Sequence, residues 1–265
     1  MIGFGKTDIG RQRQVNQDTF SAKEMKNGCF VAVVCDGMGG AAGGSIASSI
    51  AKDIFLTELE NMLDAYLKAP VLDGAPGVVI PRILRKAVSA CNSFTHELSL
   101  RDPGLKGMGT TLVAALIYEN VLYACNVGDS RLYSFTEEFV RQITKDHSYV
   151  QQLVDSGRIT VSQARSNAQK NIITKAIGVE EQVEADSFAV PLDRGTKQYF
   201  LLCSDGLSNL LDEKDMKKII FQPEELLSLE KKVECLVGLA NERGGNDNIT
   251  AYLIRIDKEQ DNEPL

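Results

Sequence analysis

Three apolar runs of the 265-residue chain end in the same chemistry. The run 30–35 (FVAVVC) leads into Asp36-Gly37, the run 123–127 (YACNV) into Gly128-Asp129-Ser130, and the run 199–204 (YFLLCS) into Asp205-Gly206. A fourth acid, Asp247, stands in Gly244-Gly245-Asn246-Asp247-Asn248, and a fifth, Asp18, follows Arg13-Gln14-Val15-Asn16-Gln17. Any single Asp-Gly after a strand reads first as a turn. The set reads differently. A strand end is a rigid mount for a short acid, and no equal number of Lys or Arg stands beside these five. Gathered without partners, the carboxylates would repel one another and hold their protons far above the usual range.

A divalent cation removes that conflict. Oxygen donors from Asp and a backbone carbonyl, such as that of Gly37, suit Mg²⁺ or Mn²⁺, which keep several waters. Two such ions roughly 3.5–4 Å apart would lower the pKa of a shared water to about 7 and clamp an in-line displacement at phosphorus. Arg13 fits that chemistry, because its planar fork can take two oxygens of a phosphate monoester; read alone it is an exposed turn residue.

Composition narrows the field. Lys+Arg 29 against Asp+Glu 36 leaves a net charge of -7, without the basic footprint of a nucleic-acid or anionic-membrane partner. The longest apolar runs, 30–35 and 112–118, fall far short of the ~20 residues of a membrane span. The opening MIGFGKTDIG lacks the pattern of a secretory leader. Cysteines 29, 35, 91, 125, 203 and 235 form no C-x-x-C pair and read as reduced thiols of a cytoplasmic protein. With only His96 and His147 present, a histidine-built metal centre is excluded.

The elements that must position the acids follow from periodicity. Strands are expected over 1–7, 18–23, 29–35, 110–118, 121–127, 131–135, 139–144, 185–191, 198–203 and 249–256. Helices are expected from Ile46 to Met62, from Ile83 to Leu98, and over 213–220 and 229–242, with a Pro/Gly break at 68–81. The segment 149–169 reads as short helices in a polar excursion. Hairpin succession with helices inserted in pairs predicts an antiparallel sandwich with helices outside it.

A family resemblance adds to this reading. Thr7-Asp8-Ile9-Gly10, Arg13, Asn16-Gln17-Asp18, Asp36-Gly37-Met38-Gly39-Gly40, Gly109-Thr110-Thr111, Gly128-Asp129-Ser130-Arg131, Asp146-His147-Ser148, Ser204-Asp205-Gly206 and Asp247-Asn248-Ile249-Thr250 stand in one order along 7–254. Together they resemble the compact bacterial branch of the metal-dependent type 2C serine/threonine protein phosphatases. The resemblance implies an α+β fold, two stacked antiparallel β-sheets flanked by helix pairs. It also implies one catalytic domain over 1–256, with a flap at 158–178 and an acidic tail at 257–265.

Carried over residue by residue, it implies that Asp36 bridges two metals, with the Gly37 carbonyl on one and Asp205 and Asp247 completing the other. Asp18 would hold metal-bound waters, Asp129 with Asp205 would form a weaker third site, and Arg13 would bind the substrate phosphate. The cofactor would be Mn²⁺ or Mg²⁺, two core ions and a third. The implied reaction is hydrolysis of phosphoserine and phosphothreonine by direct attack of a metal-bridging hydroxide, without a phosphoenzyme. Substrates would be proteins phosphorylated by a Ser/Thr kinase, and the enzyme a cytoplasmic monomer.

One departure stands out. Many relatives place a His between the glycines of the D-G-x-G-G motif or directly after them; here those positions are Met38 and Ala41. His147 is expected to serve a structural hydrogen bond, and His96 to lie on the surface late in a helix. Among rivals, Gly37-x-Gly39-x-x-Ala42 imitates a dinucleotide fingerprint, but Asp36 would repel a pyrophosphate and no βαβ unit closes. A P-loop fails because Ser45 follows Gly44 with no Lys. The remaining alternative is a catalytically dead phosphatase fold with a binding or sensor role, whose mark would be a lost metal-ligating Asp.

Overall fold

Period-two alternation decides what each strand faces. In β3 (Phe30–Met38), Val31, Val33 and Cys35 pack beneath helices, whereas Ala32 and Val34 turn toward a second sheet. β5 (Leu112–Tyr118) repeats the rule, with Leu112 and Leu116 on the helix side and Val113 and Ile117 inward. β10 (Gln198–Cys203) and β11 (Ile249–Ile256) mirror it. Phe200, Leu202, Tyr252 and Ile254 fill the space between the sheets, while Tyr199, Leu201, Ala251 and Leu253 face other helices.

The computed structural model describes residues 2–26, 28–68, 74–193 and 195–258; the side chains of 41 and 42, and the expected tail from 259 on, lie outside that range. One sheet runs β1 (Ile2–Asp8), β11, β10, β7 (Arg131–Phe135), β8 (Val140–Gln142). The other runs β2 (Asp18–Glu24), β3, β5, β6 (Val121–Val127), β9 (Asp186–Pro191), with the two-residue β4 (Gly109–Thr110) on the end of β3. Every described pairing is antiparallel. Helices α1 (Gly40–Lys68) and α2 (Pro76–Arg101) cover the second sheet. Short α3 (Tyr149–Asp155) and α4 (Val161–Arg165) form the excursion, and α5 (Asp205–Ser208) is a single turn. α6 (Glu213–Ile220) and α7 (Leu229–Glu242) cover the first sheet. This is the expected α+β sandwich, and no described helix is long and apolar enough to cross a membrane.

Boundaries differ where glycine and proline mislead. α1 starts at Gly40 rather than Ile46, although glycine weakens a helix interior. A Cβ on Gly44 would stand 2.7 Å from the Gln17 side chain and 2.9 Å from the Gly37 carbonyl carbon, so the helix can approach β3 only through glycine. The expected break at 68–81 is shorter than its composition suggests. Pro76 opens α2 at a position where its missing N–H is not needed, and Pro81 sits within the helix; 69–73 lie outside the described residues. The strand expected over 110–118 divides at Thr111, whose N–H donates to the Asp36 carbonyl at 2.8 Å. The strand expected over 139–144 shortens to Val140–Gln142.

Candidate metal centre

The inward rows that make the core also make the site. β2 and β3 pair with Asp18 directly opposite Asp36. From the other sheet, Ser204 lies two residues past Leu202 and Thr250 two before Tyr252, so the apolar filling gives way to hydroxyls on the same face. Ser204 Oγ and Thr250 Oγ1 each donate to Asp18 Oδ2 at 2.7 Å. Thr250 N–H donates to Ser204 Oγ at 2.9 Å, and the hydroxyls of Thr7 and Thr250 meet at 2.7 Å. The other Asp18 oxygen, Oδ1, is buried without a hydrogen-bond partner.

The backbone of Asp36 is held as firmly. Its N–H donates to Thr111 Oγ1 at 3.0 Å, and its carbonyl accepts from Thr110 Oγ1 at 2.9 Å as well as from Thr111 N–H. Thr111 Oγ1 meets Ser130 Oγ at 2.7 Å, which ties this mount to the Asp129 turn. Asn248 clamps the loop that carries Arg13. Its Oδ1 accepts from Gln17 N–H at 2.8 Å, and its Nδ2 donates to the carbonyls of Ile9 and Val15 at 2.9 and 3.0 Å.

Above Asp18 opens a cleft of about 480 Å³, lined by Arg13, Asp36, Gly37, Met38, Asp129, Asp205 and Asp247, with Asn171 and Ile173 from the segment 158–178. All the sequence-predicted residues therefore converge, Asp18 lying behind the others. Burial pushes the Asp18 carboxyl up to about 7 even though Ser204 and Thr250 favour its charged form. Burial, then Asp18 and Asp205, push Asp36 well above the carboxylate range. Asp129 rises through burial and Asp205, and Asp205 through burial and Asp247. Arg13, half exposed, donates from Nη2 to Asp247 Oδ2 at 2.7 Å, and that contact raises its already high pKa.

These residues fit divalent cations. Four acids cannot all ionise at one place without compensating charge, and Asp18 Oδ1 is an acceptor with nothing to accept. Among the described residues no three His, Cys, Asp or Glu side chains close on one point by themselves. That openness suits an ion which keeps waters in its shell, as Mg²⁺ and Mn²⁺ do.

Neither histidine lines the cleft. His147 Nδ1 accepts from Gly128 N–H at 3.1 Å while its own N–H donates to the Gly128 carbonyl at 2.9 Å, the structural role expected of it. Burial lowers its pKa, so the ring is neutral near pH 7. His96 departs from expectation: it is half-buried, with Nδ1 3.2 Å from the Gly178 carbonyl.

The excursion returns to the body through Tyr149 N–H to Ile172 O at 2.8 Å, Thr174 N–H to His147 O at 2.7 Å, and the Thr110–Ile177 bridge. A second cavity of about 310 Å³ shares Asp129 and Asp205 with the cleft, between Val154, Val161, Arg165 and Lys170 on one side and Leu210 to Asp212 on the other. The motifs contain Thr111, Ser130, Ser204, Thr250 and Asn248, but the sequence alone gives these residues no role. Their only signal was position, a small polar residue beside each acid or glycine. The Arg13–Asp247 pair had none.

Comparison with known proteins identifies the family. The family model described as Protein phosphatase 2C matches residues 5–240. The chain is 37% identical over 255 residues to serine/threonine phosphatase stp of Listeria monocytogenes, covering 96% of each. Its structure is similar to that of serine/threonine phosphatase Stp1 from Staphylococcus aureus, with TM-score 0.82 and 32% identity over 96% of this chain and 94% of the other. It is also similar to the catalytic domain of serine threonine protein phosphatase PstP in complex with 2 manganese ions, with TM-score 0.78 and 31% identity over 97% of this chain and 98% of that one.

Proposed function

The chain belongs to the protein phosphatase 2C family and is a protein serine/threonine phosphatase, and from that premise we propose how its own residues divide the work. Asp36, Gly37, Asp205 and Asp247 would hold two divalent cations, Mn²⁺ or Mg²⁺, Asp18 would support their waters, and Asp129 with Asp205 would take a weaker third. The observation that carries this reading is the buried cluster of mutually repelling carboxylates at the floor of one cleft. When bound, such cations neutralise the cluster, draw in a phosphate dianion and lower the pKa of water toward 7.

The protein's part is positional. The Asp36 backbone is fixed by the Thr110 and Thr111 hydrogen bonds and the Asp18 carboxylate by Ser204 and Thr250, so both acids stand on preset mounts. Arg13 keeps Nη1 and Nε for phosphate oxygens while Nη2 is engaged by Asp247. No thiol competes as nucleophile. Burial raises Cys203 to about 12 and Cys35 well above its ordinary value, so the two cysteines nearest the acids stay protonated. We assign direct attack by water, without a phosphoenzyme. With Met38 at the cleft and both histidines engaged elsewhere, no histidine is placed to protonate the leaving serine or threonine oxygen.

Phosphorylated proteins are the substrates, and we assign a Ser/Thr kinase as the opposing enzyme, residues 1–256 as one catalytic unit and a cytoplasmic monomer as the working form. The test is phosphate release from phosphoserine and phosphothreonine peptides with Mn²⁺ or EDTA. Asp36→Ala and Asp205→Ala are expected to abolish the Mn²⁺-dependent release. Near-normal kcat in either variant would remove that residue from the assigned set.

A further inference from the structure

Asp247 differs from the other acids of the cleft. Asp18, Asp36 and Asp129 face one another with burial and like charge against them. Asp247 has both oxygens engaged: Oδ1 accepts from Asn248 N–H at 2.8 Å and Oδ2 from Arg13 Nη2 at 2.7 Å. Arg13 stands in the field of three acids, Asp247 first, then Asp36 and Asp205. Among the described residues, Asp247 is the only acid in ion-pair contact with it, and the side chain is otherwise 54% exposed. A long, exposed guanidinium has many rotamers, and a single charged anchor removes most of them. The loop beneath is already fixed, because Asn248 holds the carbonyl of Val15 and the N–H of Gln17. Asp247 and Asn248 together thus set both the backbone and the head group of Arg13.

We propose that Asp247 is a positioning residue for Arg13 as well as a cation ligand, so that one carboxylate links the phosphate-binding and cation-binding halves of the cleft. The inference rests on the reading of Arg13 as the phosphate ligand. Two consequences follow. A carboxylate oxygen that accepts from a guanidinium is a poorer donor to a cation, and the guanidinium repels that cation. Arg13 therefore weakens cation binding, and by reciprocity a cation weakens the hold of Asp247 on Arg13. Without Asp247, Arg13 is unaimed and its contribution to phosphate binding fades.

The linkage is read by titrating Mn²⁺ into the substrate-free protein by calorimetry, with no turnover involved. Arg13→Ala is expected to bind Mn²⁺ several-fold more tightly than the parent chain, and Arg13→Lys to fall between them. In Asp247→Asn, further removal of Arg13 is expected to leave the Mn²⁺ affinity unchanged. The positioning role is read from competitive inhibition by inorganic phosphate at saturating Mn²⁺. Arg13→Ala and Asp247→Asn should each raise Ki, and the double variant should be no worse than the weaker-binding single. Equal Mn²⁺ affinities for Arg13→Ala and the parent chain, or a double-variant Ki that multiplies the two single effects, would overturn the proposal and leave the phosphatase assignment standing. A parent chain that binds no Mn²⁺ would overturn both.

Discussion

Replacing Asp18 by Asn probes the strain in the carboxylate cluster. The amide oxygen can occupy the place of Oδ2 and keep both hydroxyl donors, Ser204 and Thr250. The amide nitrogen takes the place of Oδ1, which has no partner, and can donate to Asp36. The carboxyl titrates at about 7 when folded, against an ordinary value of 3.8. At about 1.4 kcal/mol per pH unit, that gap makes ionised Asp18 destabilising by on the order of 4 kcal/mol in the metal-free protein. The sign follows from proton linkage. Between about pH 4 and pH 7 the folded state keeps a proton that the unfolded state has released, so stability falls as pH rises through that window. Near pH 5 the smaller part of the loss has been incurred, and at pH 8 it is complete.

Asp18→Asn is free of this penalty, so its advantage over the parent chain widens by roughly 2–3 kcal/mol from pH 5 to pH 8. Urea denaturation in EDTA at the two pH values measures it. With saturating Mn²⁺ the order reverses, because the parent chain gains more from the cation than the variant does. A metal-free variant no more stable than the parent at pH 8, or an advantage that does not change with pH, would refute the claim that the cluster is strained without a cation.

Other perturbations test separate joints of the site. Asp129→Ala should weaken the low-affinity step of an Mn²⁺ calorimetric titration while leaving the tight steps in place; loss of the tight steps would move Asp129 into the core pair. Gly37→Ala would set a Cβ 2.1 Å from the Gly44 carbonyl oxygen, both groups being backbone. It should destabilise by about 2 kcal/mol or more in urea melts, and a change below about 0.5 kcal/mol would show that α1 can back away. Thr250→Val removes a donor to Asp18 and a contact to Thr7, and should cost about 1–2 kcal/mol of stability in the Mn²⁺-loaded protein. An unchanged midpoint there would make the hydroxyl dispensable.

The sequence showed the acids and the layers because both are local signals. Asp36, Asp129 and Asp205 each end an apolar run, and alternation in runs such as FVAVVC and YFLLCS reports a strand with two buried faces. What it hid was nonlocal or contrary to propensity. The grip on Asp18 comes from Ser204 and Thr250, 186 and 232 residues away, and hydroxyls so placed carry no periodic mark. The salt bridge of Arg13 spans 234 residues. Gly43 and Gly44 argue locally against a helix, yet α1 runs through them because close approach to β3 outweighs intrinsic preference. The one-turn helix at Asp205 falls below any periodic window.

The central claim is that these strand-end acids exist to hold divalent cations. It is tested most directly by anomalous diffraction at the manganese edge on crystals of the chain soaked in Mn²⁺. Two strong peaks flanking the Asp36 carboxylate, one beside the Gly37 carbonyl and the other within bonding distance of Asp205 and Asp247 oxygens, are the predicted result. Manganese bound only elsewhere, with Asp36 contacting none of it, would contradict the account.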